Sequence, residues 1–143
     1  MAELNFTEKE LENRETMPWK DERCEAITGG ENKNRFLLYQ LKYSMMNADR
    51  IDIIVSFLME SGVRMLLKDL QRALERGTRI RILTGNYLGI TQPGALYLIK
   101  DALGDQIDLR FYKEKERSFH PKAYIFHKKE FGEIYIGSSN VSR

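Results

Sequence analysis

Apolar positions along the chain change period several times, and each change marks an element. From Arg35 onward, Phe36, Leu37, Tyr39, Gln40, Leu41, Tyr43, Ser44 and Met45 suit a helix of about a dozen residues with a broad apolar face. Residues 51–57 (Ile51, Asp52, Ile53, Ile54, Val55, Ser56, Phe57) are a β-branched run, the pattern of a strand buried on both faces. Residues 62–76 return to helical spacing, with Val63, Leu66, Leu67, Leu70 and Leu74 on one side and Gly77 as the stop. Residues 79–84 form a second strand, 85–94 a loop, and 95–103 a short helix entered after Pro93-Gly94. Residues 107–112 alternate strictly, as a third strand does. Residues 122–127 and 133–136 read as a hairpin turning around 128–132. This order predicts an α/β sandwich with a largely parallel or mixed sheet.

Residues 1–33 lack such a pattern. Glu8 to Glu12 suits a helical turn, but Pro18 and Gly29-Gly30 interrupt anything longer, so the stretch reads as a poorly structured lead-in to a domain at 34–143. No internal repeat or low-complexity segment is evident.

Composition narrows the classes. The 143 residues are 42% hydrophobic and 31% charged, enough for one real core and unlike collagen, a disulfide scaffold or a disordered chain. Cys24 stands alone, which excludes an intrachain disulfide and a cysteine-based zinc site. No apolar run reaches the ~18 residues of a membrane span. The first residues lack the basic-then-apolar order of a signal peptide, so a cytoplasmic location is expected. The formal net charge of +2 is unevenly spread: −3 over residues 1–35, +2 over 36–105 and +3 over 106–143. An anion-seeking surface belongs near the C-terminus if anywhere.

The chemistry concentrates there. In Phe119-His120-Pro121-Lys122, strand alternation projects His120 and Lys122 to one side, roughly 6.5 Å apart. An imidazole and an ammonium in one cleft suit a phosphate, one as nucleophile or proton carrier and the other as fixed charge. Gly137-Ser138-Ser139-Asn140 follows a strand with helix N-cap residue types, a junction that offers N–H groups, a hydroxyl and a carboxamide to an anion. In the hairpin, both features meet at one end. Ser56 and Thr84 end the first two strands, where ligands of parallel sheets gather, and with Ser139 are candidates to line the site. Arg110, Lys113, Lys115 and Arg117 form a basic approach diluted by Asp108, Glu114 and Glu116, and Tyr87 is placed either to stack on a base or to pack.

The pattern His120-x-Lys122, then Gly137-Ser138-x-Asn140, resembles the phospholipase D superfamily, whose motif is His-x-Lys-x4-Asp followed by Gly-Ser-x-Asn. The resemblance covers roughly residues 35–143. It implies a phospholipase D-like α/β sandwich. It also implies catalytic His120, Lys122 and Asn140, phosphate binding by Lys122, Gly137, Ser138 and Asn140, and no metal or other cofactor. His127 stands at the motif's Asp position; alternation turns it away from His120 and Lys122, and only two histidines and one cysteine exist to ligate a metal.

Family chemistry uses one histidine as nucleophile, giving a phosphohistidine, and a second as acid. One motif is present here, so the second is expected from a homodimer partner or from a later part of a longer chain. The end at Arg143, where the helix after the motif should begin, suggests a piece of a larger protein. The acidic residue that often orients the histidine in related families would then fall outside the chain.

The Phe119–Tyr124 context also resembles N-terminal modules of bacterial superfamily II helicases, although no Gly-x4-Gly-Lys-[Ser/Thr] occurs here. A nuclease-like module acting on DNA is the leading expectation. A catalytically inactive module docking DNA or a partner through the same pocket is the alternative. A phospholipid-acting enzyme ranks third, since no amphipathic membrane-binding surface is evident.

Overall fold

A computed structural model describes residues 36–142. The lead-in expected at 1–33, with Cys24 and the turn at Glu8–Glu12, lies outside the described residues. The chain divides into two compact units at Gln40/Leu41. Of the first, Phe36–Gln40 are described and open helix α1, Leu37–Met46. The second unit carries everything that follows.

Its elements are β1 (Arg50–Val55), α2 (Glu60–Glu75), β2 (Arg79–Thr84), α3 (Pro93–Leu103), β3 (Ile107–Phe111), β4 (Lys122–His127) and β5 (Gly132–Ile136). Single 3₁₀ turns stand at Tyr87–Gly89 and Gly104–Gln106. The sheet runs β3-β2-β1-β4-β5, with β1, β2 and β3 parallel and β4 and β5 antiparallel to their neighbours. This is the mixed α/β sheet the sequence predicts. Several boundaries differ by one or two residues. Helix α3 starts at Pro93, whose missing N–H costs nothing in a first turn, and β1 stops at Val55.

Register decides which residues share a face. Ile51, Ile53 and Val55 stand opposite Phe126, Tyr124 and Lys122, and beside Ile80, Ile82 and Thr84. This face meets Val63, Leu66 and Leu70 of α2 and Ile99 of α3. The stripe on α2 is rotated slightly from its predicted position: Ala73 is buried, while Leu67 and Leu74 are half-buried. At β5, a polar network joins α1 to the sheet. Buried Ser44 donates to the Glu133 carboxylate, which also accepts from Lys128 at 2.7 Å and Tyr135 at 2.9 Å.

No described helix covers the opposite face. Ile134 and Ile136 are exposed there, and Ile54 and Ile125 are half-buried. The expectation that the first strand is buried on both faces therefore holds fully only for the helical side. Asp52 is the exception on the open side, buried at 6% exposure because Arg81 at 2.5 Å, Arg50 at 3.3 Å and His127 at 2.8 Å surround its carboxylate.

Candidate functional site

Because β4 runs antiparallel to β1, the start of β4 meets the end of β1, and the end of β5 lies next to them. The segments carrying His120, Lys122, Ser56 and Asn140 therefore converge at the C-terminal edge of the parallel strands, the edge where α/β sheets bind ligands. An open depression of about 720 Å³, lined by Arg50, Arg79 and Asp108 among others, lies at the other end of these strands.

Ser56 joins the two halves of the motif. It is fully buried. Its backbone N–H donates to the Asn140 side-chain oxygen at 3.0 Å, and Phe57 N–H adds a second bond at 3.3 Å. Its hydroxyl donates to the carbonyl of Pro121 at 3.1 Å, between His120 and Lys122. With its oxygen held by two backbone donors, Asn140 directs its amide N–H groups elsewhere, and they meet no partner among the described residues. Ser56 is thus a buried joint rather than an open lining residue.

Lys122 is buried at 8% exposure, with Nζ 3.0 Å from the His120 carbonyl. Its other two donors have no partner among the described residues. The lysine therefore shapes the turn that presents His120 and still keeps donors for an anion. His120 is exposed, and its imidazole makes no hydrogen bond among the described residues. The Tyr87 ring lies against it, with centroids 4.1 Å apart.

The Gly-Ser-Ser-Asn segment departs from expectation. The Gly137 N–H donates to the Lys122 carbonyl at 3.3 Å and so continues the β4–β5 ladder instead of facing an anion. No helix begins within residues 137–142. Val141 pairs with Leu58 and accepts from Met59 N–H at 3.0 Å, so the chain stays extended beside the start of α2. Ser138 and Ser139 are exposed, and the Ser139 carbonyl accepts from Tyr124 at 2.9 Å. Burial pushes the Tyr124 phenol well above its ordinary range, so it remains a donor. Thr84 does not line the site: it is fully buried with its hydroxyl toward the Gly85 carbonyl at 3.5 Å.

His127 lies on the open face. Its Nε2 is 2.8 Å from Asp52, and Arg50 reaches its ring. The lysines and arginine of the approach segment (Lys113, Lys115 and Arg117) are exposed in the loop leading to His120, whereas Arg110 is paired with Asp108. Among the described residues, no group of three or more His, Cys, Asp or Glu side chains is placed to hold a metal ion.

Sequence reasoning missed Tyr124, the Phe57 amide and Gly62. Tyr124 carried a usable signal: alternation puts it on the face of Lys122, and a buried phenol there needs an acceptor. Gly62 is required because a Cβ there would run into the backbone of Val141.

An exposed histidine, a buried lysine with spare donors and an oriented carboxamide thus share one edge of an α/β domain. The family described as "Cardiolipin synthase, PLD-like domain" matches residues 41–143, and the chain belongs to it. Membership supports the phospholipase D superfamily and phosphodiesterase-type chemistry. No curated protein matches the chain in sequence. No helix among the described residues is long and apolar enough to cross a membrane.

Proposed function

We propose that the chain is the phosphate-handling half of a phospholipase D-type phosphodiesterase acting on nucleic acid, as a nuclease module of a larger DNA-processing protein such as a helicase. The observation that carries this reading is the Ser56 joint, which holds the Asn140 carboxamide and the His120-Pro121-Lys122 turn at one edge. The exposed Lys113, Lys115 and Arg117 beside that edge favour a polyanionic chain over a single headgroup.

In this reading an imidazole nitrogen of His120 attacks phosphorus while the bond to the leaving oxygen breaks, giving a phosphohistidine. Lys122 and the Asn140 N–H groups balance charge that builds on the non-bridging oxygens. A second histidine, from a partner copy or from another part of the parent chain, protonates the leaving oxygen. It then takes a proton from the water that resolves the intermediate.

One observation favours a second reading, docking without catalysis. The motif's acidic position holds His127, which is engaged with Asp52 on the far face.

The test incubates the chain with single- and double-stranded DNA, a generic phosphodiester reporter and phospholipid vesicles, with and without EDTA, beside His120→Ala. Metal-independent DNA cleavage that falls at least about a thousandfold in the variant is expected. Salt-sensitive DNA binding without cleavage, also with two chains paired, would replace catalysis by docking. Turnover confined to vesicles would move the substrate to phospholipid.

A further inference from the structure

We infer that Tyr87 is a positioning residue that fixes the orientation of the His120 imidazole; the catalytic consequence rests on the proposed role of His120 as nucleophile. A nucleophile gains most when its attacking atom is held near the reaction line, and an exposed imidazole without a hydrogen bond has nothing else to hold it. No carboxylate or carbonyl among the described residues bonds the His120 ring. The ring packs against that of Tyr87, 4.1 Å between centroids at an interplanar angle of 34°. The close, tilted arrangement suits two π systems.

The loop bearing Tyr87 is fastened for this purpose at several points. Tyr87 N–H donates to the Ser56 carbonyl at 3.3 Å, tying the tyrosine to the residue that joins the motif. Thr91 locks the loop base. Its hydroxyl donates to the Gly85 carbonyl at 2.5 Å and accepts from Leu58 N–H at 3.3 Å, and its N–H donates to the Asn86 side chain at 3.2 Å. Gly85 is the second requirement. A Cβ there would lie 2.9 Å from Phe119, so the missing side chain lets the residue before His120 press onto the loop. Phe119 in turn stacks on Tyr112 at 4.6 Å.

The turn also carries strain. Leu88 adopts φ 53°, ψ 22°, a left-handed conformation unfavourable for a branched side chain, yet it is 78% exposed and gains little burial. That conformation brings the backbone round so that Gly89 N–H reaches Asn86 and Ile90 N–H returns to the Tyr87 carbonyl. The backbone is strained beside the site, where it closes the turn that presents Tyr87 to His120.

The chain holds two histidines, so imidazole NMR of the intact labelled protein reads His120 directly, with His127 as an internal control. In the wild type, ring protons of His120 are expected upfield of an unstacked imidazole. Tyr87→Leu should abolish that displacement, Tyr87→Phe should retain it, and His127 should be unmoved in both. With an active preparation, Tyr87→Leu should lower kcat roughly ten- to hundredfold with little change in KM, and Tyr87→Phe should restore it.

The proposal is overturned if His120 shows no ring-current displacement in the wild type, if Tyr87→Leu leaves it unchanged, or if kcat is insensitive to Tyr87→Leu. It is also overturned if His127 shifts in parallel, since the effect is then a general loosening of the fold. Complete inactivity with the expected NMR result would leave the orientation by Tyr87 standing and remove the phosphodiesterase reading alone.

Discussion

The backbone amide of Ser56 donates to the side-chain oxygen of Asn140 at 3.0 Å, across 84 positions of sequence, and this bond fixes which end of the carboxamide faces outward. An amide oxygen and a carboxylate oxygen accept alike, but only the amide has N–H donors to give a phosphate. Asn140→Asp should therefore keep the bonds from Ser56 and Phe57 and melt near the wild type. It should nevertheless lose at least about a hundredfold in phosphate-dependent activity or DNA affinity. Asn140→Ala should lose function and also stability, by roughly 1–3 kcal/mol, because two donors near a buried residue are left unpaired. Thermal melts beside binding assays separate the two variants; equal destabilisation of both would refute the assignment.

That contrast shows what was legible in the sequence. Periodicity located β1 to β5 and put Lys122 and His127 on opposite faces, because alternation is a local rule. The convergence of the two motif halves followed from the hairpin. Ser56 was singled out, but as a lining residue. That its hydroxyl turns inward to the Pro121 carbonyl depends on long-range register, on which local pattern is silent. Residues 138–140 are of helix N-cap type, yet no helix begins within residues 137–142. Val141 is held extended by Leu58 and Met59, and tertiary pairing overrides the capping preference of Ser and Asn.

Acid should destabilise the fold through two carboxylates. Burial alone would push Asp52 up, but hydrogen bonds from Arg81 and His127, with the charges of Arg81 and Arg50, hold it below its ordinary value. Burial likewise pushes Glu133 up and is outweighed by Lys128, Ser44 and Tyr135. A carboxyl depressed in the folded state stabilises above its unfolded pKa, about 4, and the contribution disappears as pH falls through the lower folded value. Urea midpoints should stay flat down to about pH 5 and fall steeply below pH 4. Asp52→Asn and Glu133→Gln should each cost roughly 1–3 kcal/mol at pH 7 and flatten the acid limb. An unaltered acid limb in the double variant would contradict this account.

Restoring the motif aspartate should not help. His127 donates to or shares a proton with Asp52 at 2.8 Å, so an acid at position 127 would face a second carboxylate already holding Arg81 and Arg50. His127→Asp is expected to destabilise by about 1 kcal/mol at neutral pH through like-charge repulsion, partly relieved by Arg50. Because the position lies on the open face, phosphate-dependent activity should change less than about threefold, well short of the effect expected at Asn140. A gain of tenfold or more would show that position 127 acts on the site after all.

Gly62 provides the sharpest test of how the site is braced. On helix propensity alone, Gly62→Ala within α2 should stabilise by up to about 1 kcal/mol. The structure reverses the sign. The segment 140–142 crosses the first turn of α2 so closely that an added Cβ would overlap the Val141 carbonyl group. That carbonyl accepts from Met59 N–H at 3.0 Å, and Val141 pairs with Leu58, so the alanine cannot be accommodated by a side-chain shift. Either α2 or the segment after Asn140 must move, at an overpacking cost of roughly 1–3 kcal/mol. Moving that segment pulls on the neighbouring Asn140 and its bonds to Ser56 and Phe57. Gly62→Ala should therefore lower the melting temperature and weaken phosphate-dependent activity together. Ser61→Ala, one position earlier and with no such overlap, should do neither. A Gly62→Ala protein as stable and as active as the wild type would mean that the segment after Asn140 does not cross α2 at this distance.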